Sequence, residues 1–107
     1  MDNINLVFEA LSSTPRRKIL NYLSATSLTA GEIAERFEMS KPAMSKHLKI
    51  LQTANLINGE KKGQFMHYSL NRDNLVTSLH DFTANLCPVG SVLKKESKKM
   101  ADDNEGS

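Results

Sequence analysis

The chain has 107 residues, a formal net charge of +2 and a sequence pI near 8.8; that is enough for one domain with a modest core, and a balance that permits an acidic partner without demanding one. A single cysteine, Cys87, excludes an internal disulfide framework and a paired-cysteine metal knot, and it points to a reducing compartment. No apolar run approaches the ~18 residues of a membrane span, and the opening Met1-Asp2-Asn3-Ile4-Asn5 lacks the basic-then-apolar pattern of a secretory leader, so the expected location is the cytoplasm without membrane insertion.

In chain order, the first expected helix covers 3–11, with Ile4, Val7, Phe8 and Leu11 at helical spacing. Ser12-Ser13 interrupts it. Thr14 then reads as an N-cap, with Pro15 just inside a second helix that ends near Leu23. Thr29 and Glu32 have the spacing of a capping box, which opens a short third helix to about Phe37. Glu38-Met39-Ser40 reads as a tight turn. Ser40 is a good N-cap for a fourth helix, with Pro42 in its first turn and its end near Ala54.

Residues 56–62 and 64–71 read as two strands around Gly63, which can supply a positive φ. Asp73 is placed to cap a last helix to about Leu86, carrying Leu75, Leu79, Phe82 and Leu86 on one stripe, with Pro88 and Gly90 ending it. The expected domain is 1–87. Residues 88–107 are a polar tail, basic at Lys94, Lys95, Lys98 and Lys99 and acidic at Asp102, Asp103 and Glu105. Two short helices joined by a turn and followed by a hairpin describe a mainly α (α+β) winged helix-turn-helix: five helices and a two-stranded β-hairpin wing in the order α-α-α-α-β-β-α.

At about 100° per residue, the fourth helix places Met44, Leu48 and Leu51 on one side and Lys41, Ser45, Lys49 and Gln52 on another, with Lys46 and Thr53 at the edge. No acid occurs between Ser40 and Asn55. From Ser40 to Phe65 there are five lysines, including Lys61 and Lys62, against the single acid Glu60, a local +4 that leaves −2 for the rest of a +2 chain. Charge gathered on one helix and the hairpin beside it is the footprint of a nucleic-acid binder. An ordinary solvated lysine face is the competing reading, and the turn and wing beside this helix favour DNA. The candidate DNA contacts are Ser40, Lys41, Ala43, Ser45, Lys46, His47, Lys49, Gln52, Lys61, Lys62 and Gln64. His47 has two open roles, a phosphate contact or a bond to the scaffold. His67 reads as a solvated strand residue and Tyr68 as packed.

These segments resemble a known family. Pro15 to Leu20 is similar to the "D-P-x-R-x-x-I-L" opening of ArsR/SmtB-type repressors. Ser40 to Leu51 is similar to their "S-x-x-x-V-S-x-H-L-x-x-L" reading helix, and Lys62 to Leu70 to their "R-x-G-x-x-x-x-Y-x-L" wing. Within the family, Thr29 to Phe37 and Lys62 to Asn71 most resemble the "TAGDIAEHF"-like and "KGQF-x-x-YSLN"-like stretches of the SdpR-like autorepressors. The resemblance implies a homodimer built from the first and last helices, with two reading helices in successive major grooves. It also implies repression, often of the protein's own promoter. Ile4, Val7, Phe8, Leu11, Leu75, Leu79, Phe82 and Leu86 are the candidate dimer residues; packing on the chain's own core is the alternative. A two-fold dimer calls for an inverted-repeat, double-stranded DNA operator.

Many family members sense metals, through cysteines in the third helix or through Asp and paired His along the last. The third helix here has neither Cys nor His, and His80-Asp81 has no second histidine after it. His47, His67, His80 and Cys87 lie on different elements without chelate spacing, so no metal site and no cofactor are expected. An enzyme is not expected, since the sequence offers no paired-carboxylate cleft, no phosphate-cradling loop and no supported Cys/His pair. The other readings are a metal- or thiol-responsive repressor of the same fold, or a winged helix that docks on protein. An unidentified protein or small-molecule effector stays open.

Overall fold

The computed structural model describes residues 3–86. They form α1 (Asn3–Leu11), α2 (Thr14–Leu23), β1 (Leu28–Thr29), α3 (Ala30–Ala34), α4 (Lys41–Thr53), β2 (Ile57–Lys62), β3 (Phe65–Leu70) and α5 (Arg72–Ala84). The expected polar tail, Cys87, Pro88 and Gly90 lie outside the described residues. The chain divides into two compact units, one through Leu75 and one from Val76, so that α5 starts in the first and continues in the second.

The helix starts follow from local chemistry. Ser13, one residue before the expected Thr14, is the N-cap of α2: its hydroxyl accepts from Arg16 N at 3.4 Å, and Pro15 occupies the first turn. Thr29 and Glu32 close the capping box in both directions, at 3.1 and 2.9 Å. Ser40 caps α4 by accepting from Ala43 N at 3.2 Å. The last helix is capped by Asn71 rather than Asp73. Asn71 Oδ1 accepts from Asn74 N, because the strand gives way to helix two residues earlier than expected, and Asp73 falls in the first turn, where its charge favours the positive helix end. Helix α3 stops at Ala34, short of Phe37, and Arg36 N and Phe37 N bond three residues back, to Ile33 O and Ala34 O, in tighter turns.

The hairpin is as expected, with Lys62 paired to Phe65 across the two-residue loop Gly63-Gln64. Gly63 has φ 63° and Gln64 does not share it, the pattern of a type II′ turn. The structure adds a short strand to the expected wing: β1 pairs antiparallel with β3, Leu28 opposite Tyr68 and Thr29 opposite His67, giving the order β1-β3-β2. The sheet is therefore anchored at its root beside α3, while β2 is exposed from Asn58 onward.

The core of the first unit is built by Val7 and Ala10 of α1, Ile19, Leu20 and Leu23 of α2, Leu28, Ile33, then Met44, Leu48 and Leu51 of α4, and Ala54, Leu56 and Ile57. Helix α4 ends in a Schellman motif. Leu56 N bonds Leu51 O at 3.0 Å, Asn55 N bonds Gln52 O at 2.9 Å, and Asn55 takes φ 58°. The side chains of Asn71 and Asn74 both donate to Asn55 O, at 2.9 and 3.0 Å, and Arg72 donates to Ser24 O at the end of α2. The start of α5 is thus tied to the ends of α2 and α4.

The left-handed backbone of Asn55 sets a test. Asn55→Gly should keep or slightly raise stability, whereas Asn55→Ala should lose about 1 kcal/mol to the αL penalty, read from urea unfolding midpoints at constant m-value.

Candidate nucleic-acid interface

Helix α2 carries Arg16, Ile19, Leu20 and Leu23 at i, i+3, i+4 and i+7, and all four are buried. Arg16 is only 9% exposed. Its Nε donates to Ala10 O at 2.9 Å and its Nη2 to Glu9 O at 3.0 Å, both at the C-terminal end of α1, where free carbonyls and the negative end of the helix dipole favour a cation. Its Nη1 lies 3.1 Å from His47 Nδ1 on α4. A guanidinium only donates, so Nδ1 must accept, and the ring proton sits on Nε2. Burial, helped by the charges of Arg16 and Lys46, lowers the His47 pKa and keeps the ring in this neutral, accepting form.

Helix α4 is therefore fixed on two sides. Met44, Leu48 and Leu51 hold it to the core, and His47 holds it to Arg16. Its third side is exposed and carries Lys41, Ser45, Lys46 and Lys49. An open cleft of about 260 Å³ separates it from α3, lined by Ala30, Gly31, Ala34, Lys41, Met44 and Ser45. Among the described residues, Lys41, Lys46, Lys49, Lys61 and Lys62 are not held in ion pairs, so their charges remain available to a ligand.

The other candidate DNA residues fall in different places. Lys61, Lys62 and Gln64 are exposed on the wing. The Ser40 hydroxyl is engaged in its cap, and Ala43 is half-buried. Gln52 is half-buried and turned to the wing root, where a Cβ built on Gly59 would lie 2.8 Å from its Nε2. The missing Gly59 side chain is what lets Gln52 approach the strand. For His47 the structure shows the scaffold bond.

Among the candidate dimer residues, Val7 differs from the rest. It is fully enclosed in its own chain's core, because Val7 and Ala10 form the inward side of α1, whereas Ile4, Phe8 and Leu11 lie on a neighbouring stripe at i, i+4 and i+7 that is half-buried or exposed. Leu75 and Leu79 are half-buried, while Phe82 and Leu86 are exposed, as is Val76, which was not among the candidates.

The sequence profile of the bacterial regulatory proteins of the arsR family matches residues 14–59. The transcriptional repressor SdpR of Bacillus subtilis is 49% identical over 77 residues, covering 72% of this chain and 86% of that protein. The chain belongs to the ArsR family. The arsenical resistance operon repressor of Staphylococcus aureus is 31% identical to this ArsR-family chain over 80 residues, 72% of this chain and 77% of that one. The crystal structure of an ArsR family transcriptional regulator matches with a TM-score of 0.73 at 27% identity, covering 78% of this chain and 86% of that one. This ArsR-family chain is a winged helix-turn-helix DNA-binding regulator of transcription, and its relatives and fold are those of regulators rather than enzymes.

Arg16 is the residue of this ArsR-family site whose role sequence reasoning missed. The signal was present: an arginine on the same helical stripe as Ile19, Leu20 and Leu23 must be buried with them. Arg16→Ala should lower stability by about 2–4 kcal/mol, since the Ala10 carbonyl and the half-buried His47 ring lose their donor, the Glu9 carbonyl keeps only Ser12, and the buried stem leaves a gap, measured by chemical denaturation.

The His47 bond makes a second prediction. Its folded pKa lies below the ordinary 6.5, so the unfolded chain takes the proton first as pH falls. The stability it carries is present above about pH 6.5 and declines as pH drops through the lowered native value. Unfolding free energies measured between about pH 7 and pH 5 should fall more steeply for the wild type than for His47→Gln.

Proposed function

We propose that this ArsR-family chain is a transcriptional repressor that binds an inverted-repeat operator as a homodimer, with its own promoter as a target, and that its release from DNA does not depend on a metal. The reading is carried by one observation: the exposed side of α4 bears Lys41, Ser45, Lys46 and Lys49 with no acid, while its other sides are held to the core and to Arg16. A major groove admits a helix between phosphate walls. Lysines neutralise the walls and set the register, and Ser45 reaches base edges. Lys61, Lys62 and Gln64 extend the contact along the wing.

Homodimer formation is supported by Ile4, Phe8 and Leu11 on one stripe of α1, and by exposed Val76, Phe82 and Leu86 on and just after α5. Apolar residues of this size on terminal helices suit a partner surface, and a two-fold axis places half-sites one or two turns apart. The resemblance to the SdpR-like autorepressors supports the protein's own promoter as operator. The third helix carries neither Cys nor His, and no second histidine follows His80-Asp81, which is the basis for proposing a release that does not depend on a metal. None of the described helices is long and apolar enough to cross a membrane.

Fluorescence anisotropy with the duplex upstream of the chain's own gene, against a scrambled duplex at the same salt, tests this reading. Binding should be about a thousandfold tighter to the former, and equal weak binding to both would remove autoregulation. Lys46→Ala and Lys49→Ala should each flatten the log–log salt dependence by about 0.9; unchanged slopes in both would sink the docking of α4. Micromolar zinc should leave the complex intact, and its reproducible release would show a sensor.

A further inference from the structure

Helices α3 and α4 do not close on each other completely. The cleft of about 260 Å³ between them is lined by Ala30, Gly31, Ala34 and Met44, with Lys41 and Ser45 on its α4 side. The gap comes from side-chain size. Ala30, Gly31 and Ala34 stand on α3 at i, i+1 and i+4, so α3 sends nothing longer than a methyl group into the space before α4. A Cβ built on Gly31 would meet only Thr29 Oγ1, at 3.9 Å. Met44 is 2% exposed, so the cleft ends on packed core.

The lining is chemically one-sided. Ala30, Gly31, Ala34 and Met44 offer no side-chain nitrogen or oxygen. The polar groups are the Lys41 ammonium and the Ser45 hydroxyl, both exposed, and among the described residues neither is held by another protein side chain. No acid lines the cleft. Lys41 opens α4, so the positive helix end adds to its field. An apolar cavity of about 150 Å³ already takes up benzene; the space here suits one ring and is too small for a peptide segment. Its apolar lining calls for a hydrocarbon body, and a methionine adapts well to an aromatic edge. One cation beside one hydroxyl donor calls for a single negative charge spread over two acceptor oxygens, which is a carboxylate.

We propose that the α3–α4 cleft binds a small aromatic monocarboxylate, its ring against Ala30, Gly31, Ala34 and Met44 and its carboxylate on Lys41 Nζ and Ser45 Oγ, and that the occupied cleft releases duplex DNA. The release rests on the reading of α4 as the helix that docks on DNA: Lys41 and Ser45 hold the carboxylate instead of a phosphate and a base edge. Ligand and duplex compete for the same two groups, so the small molecule acts as an inducer without moving the fold.

The test uses the full chain, labelled with carbon-13 at its methionine methyl groups and titrated with sodium benzoate at constant ionic strength without DNA. The Met44 methyl signal, identified as the one missing from Met44→Leu, should shift to saturation with a midpoint of about 1–10 mM, as suits a ligand of so few atoms. Benzamide, neutral and of the same shape, should need about ten times the concentration or more, and Lys41→Met should lose the same factor for benzoate while leaving benzamide unchanged. Gly31→Leu fills the cleft from α3 and should abolish the shift while keeping the wild-type circular dichroism spectrum; Lys41→Met, at an exposed position, keeps the test independent of that variant's folding. On a duplex that wild-type protein enriches from a random-sequence library, benzoate should release the wild type and not Gly31→Leu, with sodium chloride of equal ionic strength as the control. A Met44 methyl that does not shift saturably below about 50 mM benzoate, or that responds equally to benzamide, overturns the carboxylate site. Saturation without release of the duplex overturns the competition. Wild-type protein that enriches no sequence overturns the DNA reading and with it the release, while the methyl titration still decides the cleft.

Discussion

Arg16 is a cation placed inside the fold with no carboxylate beside it. A buried charge is tolerated only where hydrogen bonds replace its water, and here the replacements come from two other helices. Glu9 and Ala10 supply carbonyls at the end of α1, and His47 supplies a ring nitrogen from α4. None of these partners is negatively charged, so the arrangement depends on direction rather than on ion pairing: the two carbonyls must converge, and the imidazole must stay neutral. Helices α1, α2 and α4 cannot shift independently without leaving a guanidinium N–H unpaired, which is expensive in a low-dielectric interior.

That constraint divides the labour around α4. With its core side held by Met44, Leu48 and Leu51 and its flank by His47, the helix needs nothing from its third side for stability. Lysines there are free to serve a ligand, and an acid-free surface is tolerated because no stabilising ion pair is being given up. Gln52 shows the same economy at the other end of the helix. Gly59 leaves room for its amide against the wing, so the base of the hairpin is set by the helix it accompanies. A wing so rooted, and stitched to β1 on the far side, can project a two-stranded ribbon whose outer strand buries only Ile57. Exposed strand edges invite pairing with other chains, and Lys61 and Lys62 on this edge oppose it.

Much of this was legible in the residues because it follows from local chemistry. Ser40 followed by Pro42, and Thr29 followed by Glu32, announce helix starts through backbone donors that must be satisfied nearby. The spacing of Met44, Leu48 and Leu51 announces which side of α4 faces inward, and Gly63 between two alternating runs announces the hairpin. The polarisation of charge onto Ser40–Phe65 is a property of the sequence alone, and so is the lack of histidine and cysteine in the third helix. Caps, periodicity and turn chemistry act over three or four residues, which is why they can be read before any fold is known.

What needed the tertiary structure involves groups far apart in the chain. Whether Val7 or Phe8 faces the core depends on how α1 lies against its neighbours, since both belong to one apolar segment. Strand β1 has two residues and exists only because Tyr68 and His67 are there to pair with it. The left-handed turn at Asn55 is secured by amides from Asn71 and Asn74. His47, read from sequence as either a phosphate contact or a scaffold residue, bonds through Nδ1 to an arginine 31 residues earlier. Sequence by itself determined the five helices, the hairpin and the charge gathered on residues 40–65, because each is a sum over neighbours along the chain. The fold decided which polar side chains bond to the scaffold and which stay exposed, because a hydrogen bond between distant residues forms only after packing has brought donor and acceptor within about 3 Å of one another.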